Sequence, residues 1–149
     1  MKLEEAIKTK KFKSPQLQVV LEILFTAGYI DRDNNENLKP FDISIQQYNI
    51  LRILNGSHPN KLPVNEIKNR MVQKTPNTTR LIDKLILKNY VERHRCDKDR
   101  RVIYINITNE GIALLKTIND EAKISSKFIN KLNTDEANTL IKLLEKLRS

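Results

Sequence analysis

Apolar residues recur every three or four positions in six separate segments, and this spacing predicts six helices. The first begins at Ser14, a capping residue followed by proline, and ends before the polar residues 31–40, which predict a loop. The second begins at Ser44, where Gln47 completes a capping box. We expect Gly56 to end this helix in the left-handed conformation that glycine tolerates.

Two short helices in the middle of the chain are separated by a tight turn. The third helix is predicted from about Pro63, and residues 72–74 form the turn. The fourth begins at Thr75, a second capping residue followed by proline. Asn89 lies just past its end, where a left-handed residue commonly follows a helix. This arrangement predicts a helix-turn-helix.

Residues 90–95 predict a short strand, and the alternation of residues 102–107, with Ile103, Ile105 and Ile107 on one face, predicts a second strand joined to it as a hairpin. Thr108 caps a fifth helix that we expect to reach Leu132, and Thr134 caps a sixth. The fold class expected is mainly α with a small β-hairpin. Two short helices followed by such a hairpin are typical of a winged helix-turn-helix.

The composition fits a single folded domain of 149 residues with 39% hydrophobic residues. No apolar run approaches the roughly 18 residues that a membrane span needs, and the amino-terminal residues lack the apolar core of a secretory signal. One Cys cannot form an internal disulfide, so we expect a reducing cytoplasm and no membrane partner. Two His and one Cys do not supply the four ligands of a structural zinc site, and we predict no metal and no cofactor.

Positive charge is concentrated in the middle third of the chain. The whole chain carries a net charge of +9, and residues 61–101 hold 12 Lys/Arg against 5 Asp/Glu, a net of +7. Such a patch indicates an anionic partner.

The fourth helix carries side chains suited to DNA recognition at its amino-terminal end. Asn pairs bidentately with adenine, Arg with guanine, and Thr with phosphate or a thymine methyl group. The alternative is an ordinary solvated helix face. Lys88 is a further candidate for phosphate contact. The candidate residues of this recognition helix are Thr75, Pro76, Asn77, Thr79, Arg80 and Lys84.

The hairpin tip concentrates cations that suit the minor groove and its flanking phosphates. Arg101 and Arg100 are the candidates for insertion, with Arg93, Arg95 and Lys98 at phosphates. We expect Asp99 to accept hydrogen bonds from Arg101 or from the turn backbone. The alternative is a solvated turn whose charges only maintain solubility. A calcium loop is excluded, because the Gly and distal Glu it needs are missing.

Cys96 lies between Arg95 and Lys98, where positive charge would stabilise a thiolate. A redox-sensing role is therefore one hypothesis. An incidental surface thiol is favoured, because the chain has no second Cys to resolve a sulfenic acid.

The segment from Ile43 to Leu115 resembles the core of the MarR family of bacterial transcription regulators. The most specific motif is D-x-R, then alternating apolar residues, then T-x-x-G, which here is Asp99, Arg101, Thr108 and Gly111. The resemblance implies a homodimer whose wing arginine matches Arg101 and whose supporting acid matches Asp99. It also places Thr75, Pro76, Asn77, Thr79 and Arg80 where the family contacts DNA. The chain departs from the family in having Asn89 for the usual Gly and Pro76 for a small polar residue.

The domain organisation expected is one chain, 1–149, with residues 43–108 as the winged helix-turn-helix core. Residues 14–31 and 109–148 would supply dimerisation helices. The function expected is a double-stranded-DNA-binding regulator: a homodimeric repressor on a pseudo-palindromic operator, released by a small effector or an oxidant. An RNA- or ribosome-associated binding protein is the alternative, although the basic region offers only Tyr90 and Tyr104 for base stacking. An enzyme is not expected, since no phosphate-binding Gly loop or nucleophile elbow is present.

Overall fold

The computed structural model describes residues 2–9, 11–122 and 124–149. The chain forms two compact units, one made of residues 37–124 and the other of residues 1–36 together with 125–149. The helices are α1 (Leu3–Ala6), α2 (Pro15–Leu38), α3 (Ile45–Ser57), α4 (Val64–Arg70), α5 (Thr78–Leu87), α6 (Asn109–Glu121), α7 (Ser126–Ile129) and α8 (Thr134–Arg148). A 3-10 turn spans Lys39–Phe41, and the strands are β1 (Leu62–Pro63), β2 (Val91–Arg95) and β3 (Ile103–Ile107).

The unit of residues 37–124 is a helix-turn-helix followed by a hairpin, which confirms the fold class. Its sheet has the order β1-β3-β2, and both pairings are antiparallel. The sequence did not predict β1, because two residues are too few to show an alternating pattern. Strand β1 joins the sheet through the pairing of Leu62 with Ile105 of β3. On the other side of β3, Val91 of β2 pairs with Ile107.

The core of this unit is aliphatic and draws on α3, α4, α5, β3 and α6. Its most deeply buried side chains are Ile50, Leu51, Leu54, Ile67, Ile82, Leu85, Ile105 and Ile118. Burying such side chains contributes about 1.5–3 kcal/mol each. The exposed sides of α5 and of the hairpin are therefore held in place by a packed interior.

The start of α3 matches its prediction, and its end does not. Ser44 Oγ accepts the N–H of Gln47 at 3.2 Å, and Gln47 Oε1 accepts the N–H of Ser44 at 3.0 Å. The helix then continues through Gly56 to Ser57, and no glycine of the described residues has a positive φ. The left-handed end predicted at Gly56 is wrong.

The predicted loop at residues 31–40 is also wrong, because α2 runs on to Leu38. Polar side chains at this end of α2 find partners both within the helix and farther along the chain. Asn34 is buried, and its Oδ1 accepts the backbone N–H of Ser125 at 2.8 Å. The amide of Asn35 donates to the carbonyl of Asp31 at 2.8 Å. Leu38, the last residue of α2, belongs to the unit of residues 37–124 and is buried in its core.

The carboxy-terminal helices differ from the prediction in length. The cap at Thr108 is confirmed by the hydrogen bond from Gly111 N–H to its Oγ1, but α6 ends at Glu121 and does not reach Leu132. The last helix is capped by Asn133 and not by Thr134. Asn133 forms a reciprocal capping box with Glu136, which satisfies two backbone N–H groups at the helix start.

No helix among the described residues is long and apolar enough to cross a membrane. The same residues contain no cluster of three or more side chains suited to holding a metal ion.

Candidate nucleic-acid interface

Helix α5 begins at Thr78 with Asn77 as its cap, two residues later than the predicted cap at Thr75 and first helical residue at Pro76. Thr75 Oγ1 accepts the N–H of Asn77 at 3.3 Å, and Thr78 Oγ1 donates to the Thr75 carbonyl at 3.0 Å. These bonds form a tight turn over Thr75–Asn77 before the helix, and Thr78 is fully buried against it. Asn77 is the capping residue, and its side-chain amide makes no capping hydrogen bond. That amide stays exposed at the positive end of the helix.

The outer face of α5 presents the predicted polar residues to solvent. Thr79, Arg80 and Lys84 are exposed, as is Pro76 just before the helix, while Ile82 and Leu85 are buried beneath them. One side of α5 therefore packs on the core. The other side carries Thr79, Arg80 and Lys84 and faces solvent.

The turn before α5 contains a contact that sequence reasoning missed. The backbone N–H of Val72 donates to Asn49 Oδ1 at 3.0 Å, so a side chain of α3 fixes the turn between α4 and α5. The Val72 side chain is 87% exposed beside the recognition helix.

The tip of the hairpin is ordered by Asp99. Its Oδ1 accepts the backbone N–H of Arg101 at 2.9 Å, and its carbonyl accepts the N–H of Val102 at 3.0 Å. The predicted role of Asp99 as an internal acceptor therefore takes the form of a backbone contact. Cys96 closes the base of the tip, with its N–H donating to the Val102 carbonyl at 3.0 Å.

Four of the predicted wing cations are exposed and form no ion pair with any described residue. Within the part of the chain that the structure describes, no carboxylate lies within ion-pair distance of them. These four are Arg95, Lys98, Arg100 and Arg101. Their charge is available to an external anion.

Two other predicted phosphate contacts already have partners. Arg93 forms an ion pair with Asp83 of α5. Lys88, at the end of α5, contacts both the carboxylate and the carbonyl oxygen of Asp42, a left-handed residue that follows the 3-10 turn. The hydrogen bond and charge of Lys88 lower the pKa of the Asp42 carboxyl below its ordinary 3.8. Lys88 thus fastens α5 to the start of its unit.

A cleft of about 220 Å³ lies between α5 and the wing. Thr79 and Ile82 line it from the helix, and Arg93, Arg101 and Ile103 line it from the wing. Two guanidinium-bearing residues from different parts of the wing thus share one space beside the recognition helix.

The T-x-x-G motif forms the joint between the wing and α6. Thr108 Oγ1 donates to the Asn89 carbonyl at 2.6 Å, and the Thr108 N–H donates to the Tyr90 carbonyl at 3.1 Å. Asn89 has φ 59°, which confirms the predicted left-handed residue. A β-carbon on Gly111 would lie 2.2 Å from the Tyr90 carbonyl oxygen. Only glycine permits this approach.

A second, more open pocket of about 520 Å³ lies between α3 and α6, lined by Tyr48, Asn49, Arg52, Asn119 and Ile124. Tyr48 Oη donates to Asn119 Oδ1 at 3.0 Å, and Arg52 Nη1 lies 3.4 Å from Tyr48 Oη. The pocket shares Asn49 with the contact that fixes the turn before α5.

Comparison with known proteins agrees with this geometry. The model of the MarR family matches residues 41–102. The HTH-type transcriptional regulator YhbI of Bacillus subtilis is 30% identical over 107 residues, which cover 71% of this chain and 68% of that protein. The MarR transcription factor of Planctomyces limnophilus is 32% identical with a TM-score of 0.70, over 91% of this chain and 98% of that one. A mutant MarR from E. coli complexed with operator DNA is 25% identical with a TM-score of 0.75, over 99% of each chain. The chain belongs to the MarR family of transcriptional regulators.

Proposed function

We propose that this regulator binds double-stranded DNA sequence-specifically as a homodimer and represses transcription from a pseudo-palindromic operator. The observation that carries the proposal is the joint exposure of the α5 amino-terminal face and the Arg101 wing on one unit of the chain. Support also comes from the E. coli relative of the same fold, which is complexed with operator DNA.

In this proposal α5 enters the major groove. Asn77 and Arg80 contact base edges, because amide and guanidinium groups match the hydrogen-bonding patterns of adenine and guanine. Thr75, Thr79 and Lys84 contact phosphates or a thymine methyl group. Pro76 has no N–H to offer a phosphate, so the contacts at the start of α5 rest on side chains.

The wing enters the adjacent minor groove with Arg101, whose backbone Asp99 holds. Narrow minor grooves concentrate negative potential, and arginine is the side chain best suited to that field. Arg95, Lys98 and Arg100 bind the flanking phosphates. Each phosphate contact releases counterions, so affinity should fall steeply with salt.

Homodimerisation is supported by apolar side chains that the unit of residues 1–36 and 125–149 leaves exposed. Leu24 is 64% exposed on α2, and Leu147 is 56% exposed on α8. Further exposed members of this set are Leu17, Val19, Val20, Leu140, Ile141 and Leu143. A set of large exposed apolar side chains of this kind supports a protein interface. A second copy that covers it would give the two-fold symmetry that a pseudo-palindromic operator matches.

Release from DNA is proposed to follow binding of a small effector or oxidation. The pocket lined by Tyr48 and Arg52 is the candidate for an effector, since its Asn49 also holds the turn before α5. Cys96 is the candidate for oxidation because it is the single thiol and lies at the base of the wing tip.

The test begins by selecting an operator from a pool of random-sequence duplexes with the purified full chain. Affinity is then measured at fixed salt for the wild type, for Arg101→Ala and for Arg32→Ala, a matched control on the other unit. Arg101→Ala should weaken operator binding by about 1–3 kcal/mol, the value of one specific contact. Arg32→Ala should change it by less than about 0.5 kcal/mol, because it removes an equal charge from an exposed residue to which the proposal gives no DNA contact.

Failure to select any duplex, or equal affinities for the two variants, would contradict the assignment. Preference for single-stranded RNA in competition would favour the RNA-binding alternative. Sedimentation of the complex checks the assembly: two chains per operator are expected, and a single chain bound to each duplex would refute the homodimer.

A further inference from the structure

Asp83 is an acidic residue on the face of α5 that the proposed function places against DNA. It follows Thr79 by four residues and Arg80 by three, so it shares their side of the helix. It is exposed, as they are. A carboxylate at such a place repels phosphate and weakens binding to any duplex. Its presence there needs a compensating role.

The structure supplies a partner for this carboxylate in the wing. Asp83 Oδ1 pairs with Arg93 Nη2, and Arg93 lies in the middle of β2, opposite Ile105 of β3. The pair therefore joins the second turn of α5 directly to the wing sheet. The covalent connection between these elements is the short turn through Asn89. The ion pair is a second tie, placed farther along the wing.

The cleft between α5 and the wing shows what this tie controls. Arg93 and Arg101 both line it, so two like charges meet there beside Thr79. Asp83 attracts Arg93 and so holds the wing sheet against the helix. The pair therefore bears on where the wing, and Arg101 on it, lies relative to α5.

From this geometry we infer that Asp83 is a positioning residue for DNA recognition. By pairing with Arg93, it sets the spacing at which α5 and Arg101 occupy neighbouring grooves of the same site. Its negative charge lowers affinity for DNA in general, and the fixed spacing raises affinity for the operator. The pair therefore increases the ratio of the affinity for the operator to the affinity for other duplexes. This inference rests on the proposed function, because it assumes the helix and the wing bind one duplex together.

A purely stabilising ion pair would behave differently. The Asp83 and Arg93 side chains are 50% and 38% exposed, so solvent screens their attraction and little stability depends on it. We expect the thermal unfolding midpoint of Asp83→Asn to stay within a few degrees of the wild type. The ratio of the affinity for the operator to the affinity for a random-sequence duplex distinguishes a positioning role from a purely stabilising one.

The experiment measures binding to the selected operator and to a random-sequence duplex of equal length, at two salt concentrations. The variants are Asp83→Asn and, as a matched control, Asp97→Asn, which removes the same charge from an exposed wing residue for which the structure shows no ion pair among the described residues. Asp97→Asn should strengthen binding to both duplexes by similar factors. Asp83→Asn should strengthen binding to the random duplex and weaken binding to the operator, lowering their ratio by at least about fivefold, the low end for one specific contact.

Two further variants test the pairing itself. Asp83→Glu keeps the charge and should recover part of the ratio. Arg93→Gln should also lower the ratio, and the double variant Asp83→Asn/Arg93→Gln should lower it no further than either single change, since both disrupt one contact. If Asp83→Asn fails to fold, Asp83→Glu and Arg93→Gln carry the comparison.

The inference is overturned if Asp83→Asn strengthens binding to both duplexes by the same factor, as the control does. It is also overturned if the effects of the two single changes on the affinity ratio add in the double variant. In either case the wild type keeps its preference for the operator, and the proposed function stands. A wild type without any preference between the duplexes would refute the proposed function, and the inference would fall with it.

Discussion

Gly111 lies where the first turn of α6 meets the base of the wing, and replacing it with alanine is the sharpest available test of this packing. An added β-carbon would lie 2.2 Å from the Tyr90 carbonyl oxygen and 2.7 Å from Ile107 Cγ1. The oxygen belongs to the backbone and already accepts the N–H of Thr108. It cannot rotate away as a flexible side chain would, so α6 or β2 must shift.

The expected cost follows from the size of this clash. Ordinary contacts of a β-carbon begin near 3.4 Å, so the shift needed exceeds 1 Å. Overpacking a well-packed site costs typically about 1–3 kcal/mol, and a backbone obstacle places Gly111→Ala at the upper end. Alanine recovers about 1 kcal/mol through its higher helix propensity. We expect a net loss of about 2 kcal/mol in the free energy of unfolding.

Gly56 provides the matched control within the same unit. It also lies in a helix, and an added β-carbon would meet nothing within 4 Å. Gly56→Ala should therefore stabilise the chain by about 0.5–1 kcal/mol, because alanine loses less entropy on folding. Both variants are compared with the wild type by urea denaturation at one protein concentration, since association would otherwise shift the apparent stability.

The opposite signs of these two changes are the essential result. If Gly111→Ala unfolds at the same urea concentration as the wild type, or at a higher one, the close approach of α6 to Tyr90 is not a constraint. The physical explanation of the T-x-x-G motif would then be refuted. A loss for Gly56→Ala of similar size to that for Gly111→Ala would show that the effect is not specific to the joint.

Two further contacts give measurable expectations. Asn49→Ala removes the acceptor of the Val72 N–H and should cost about 0.5–1.5 kcal/mol in thermal unfolding, with faster hydrogen exchange at the Val72 amide; unchanged exchange would refute the contact. Because folding lowers the pKa of Asp42, its pair with Lys88 stabilises the chain above pH 3.8, and that stabilisation is lost as the pH falls through the lowered value. Urea titrations of Lys88→Met should therefore show a deficit at neutral pH that disappears in acid, and a deficit independent of pH would contradict the assignment.

The periodic pattern of the sequence determined most of the fold. Aliphatic residues at helical spacing predicted the core helices, and alternation over residues 102–107 predicted the hairpin. These elements were predictable because burial of one face dominates their energy. The capping box at Ser44 and the left-handed Asn89 were predictable for a different reason: both depend on hydrogen bonds and sterics within a few residues.

Contacts between residues distant in the sequence determined the elements that the periodic pattern did not predict. The polar end of α2 stays helical because the buried Asn34 finds the backbone of Ser125, 91 residues away. The two-residue strand β1 exists only through its pairing with β3.

For the candidate site, too, the sequence predicted one part and the tertiary structure decided the other. Residue type and charge identified the cations of the helix and the wing, because a concentration of positive charge is visible in the sequence. Which of them are free for DNA was decided by the tertiary structure, where Asp83 engages Arg93 and Asp42 engages Lys88 while Arg101 stays exposed. The sequence shows which residues are charged. Whether two of them form an ion pair depends on a separation of a few ångströms, and that distance is set by the packing of the elements that carry them.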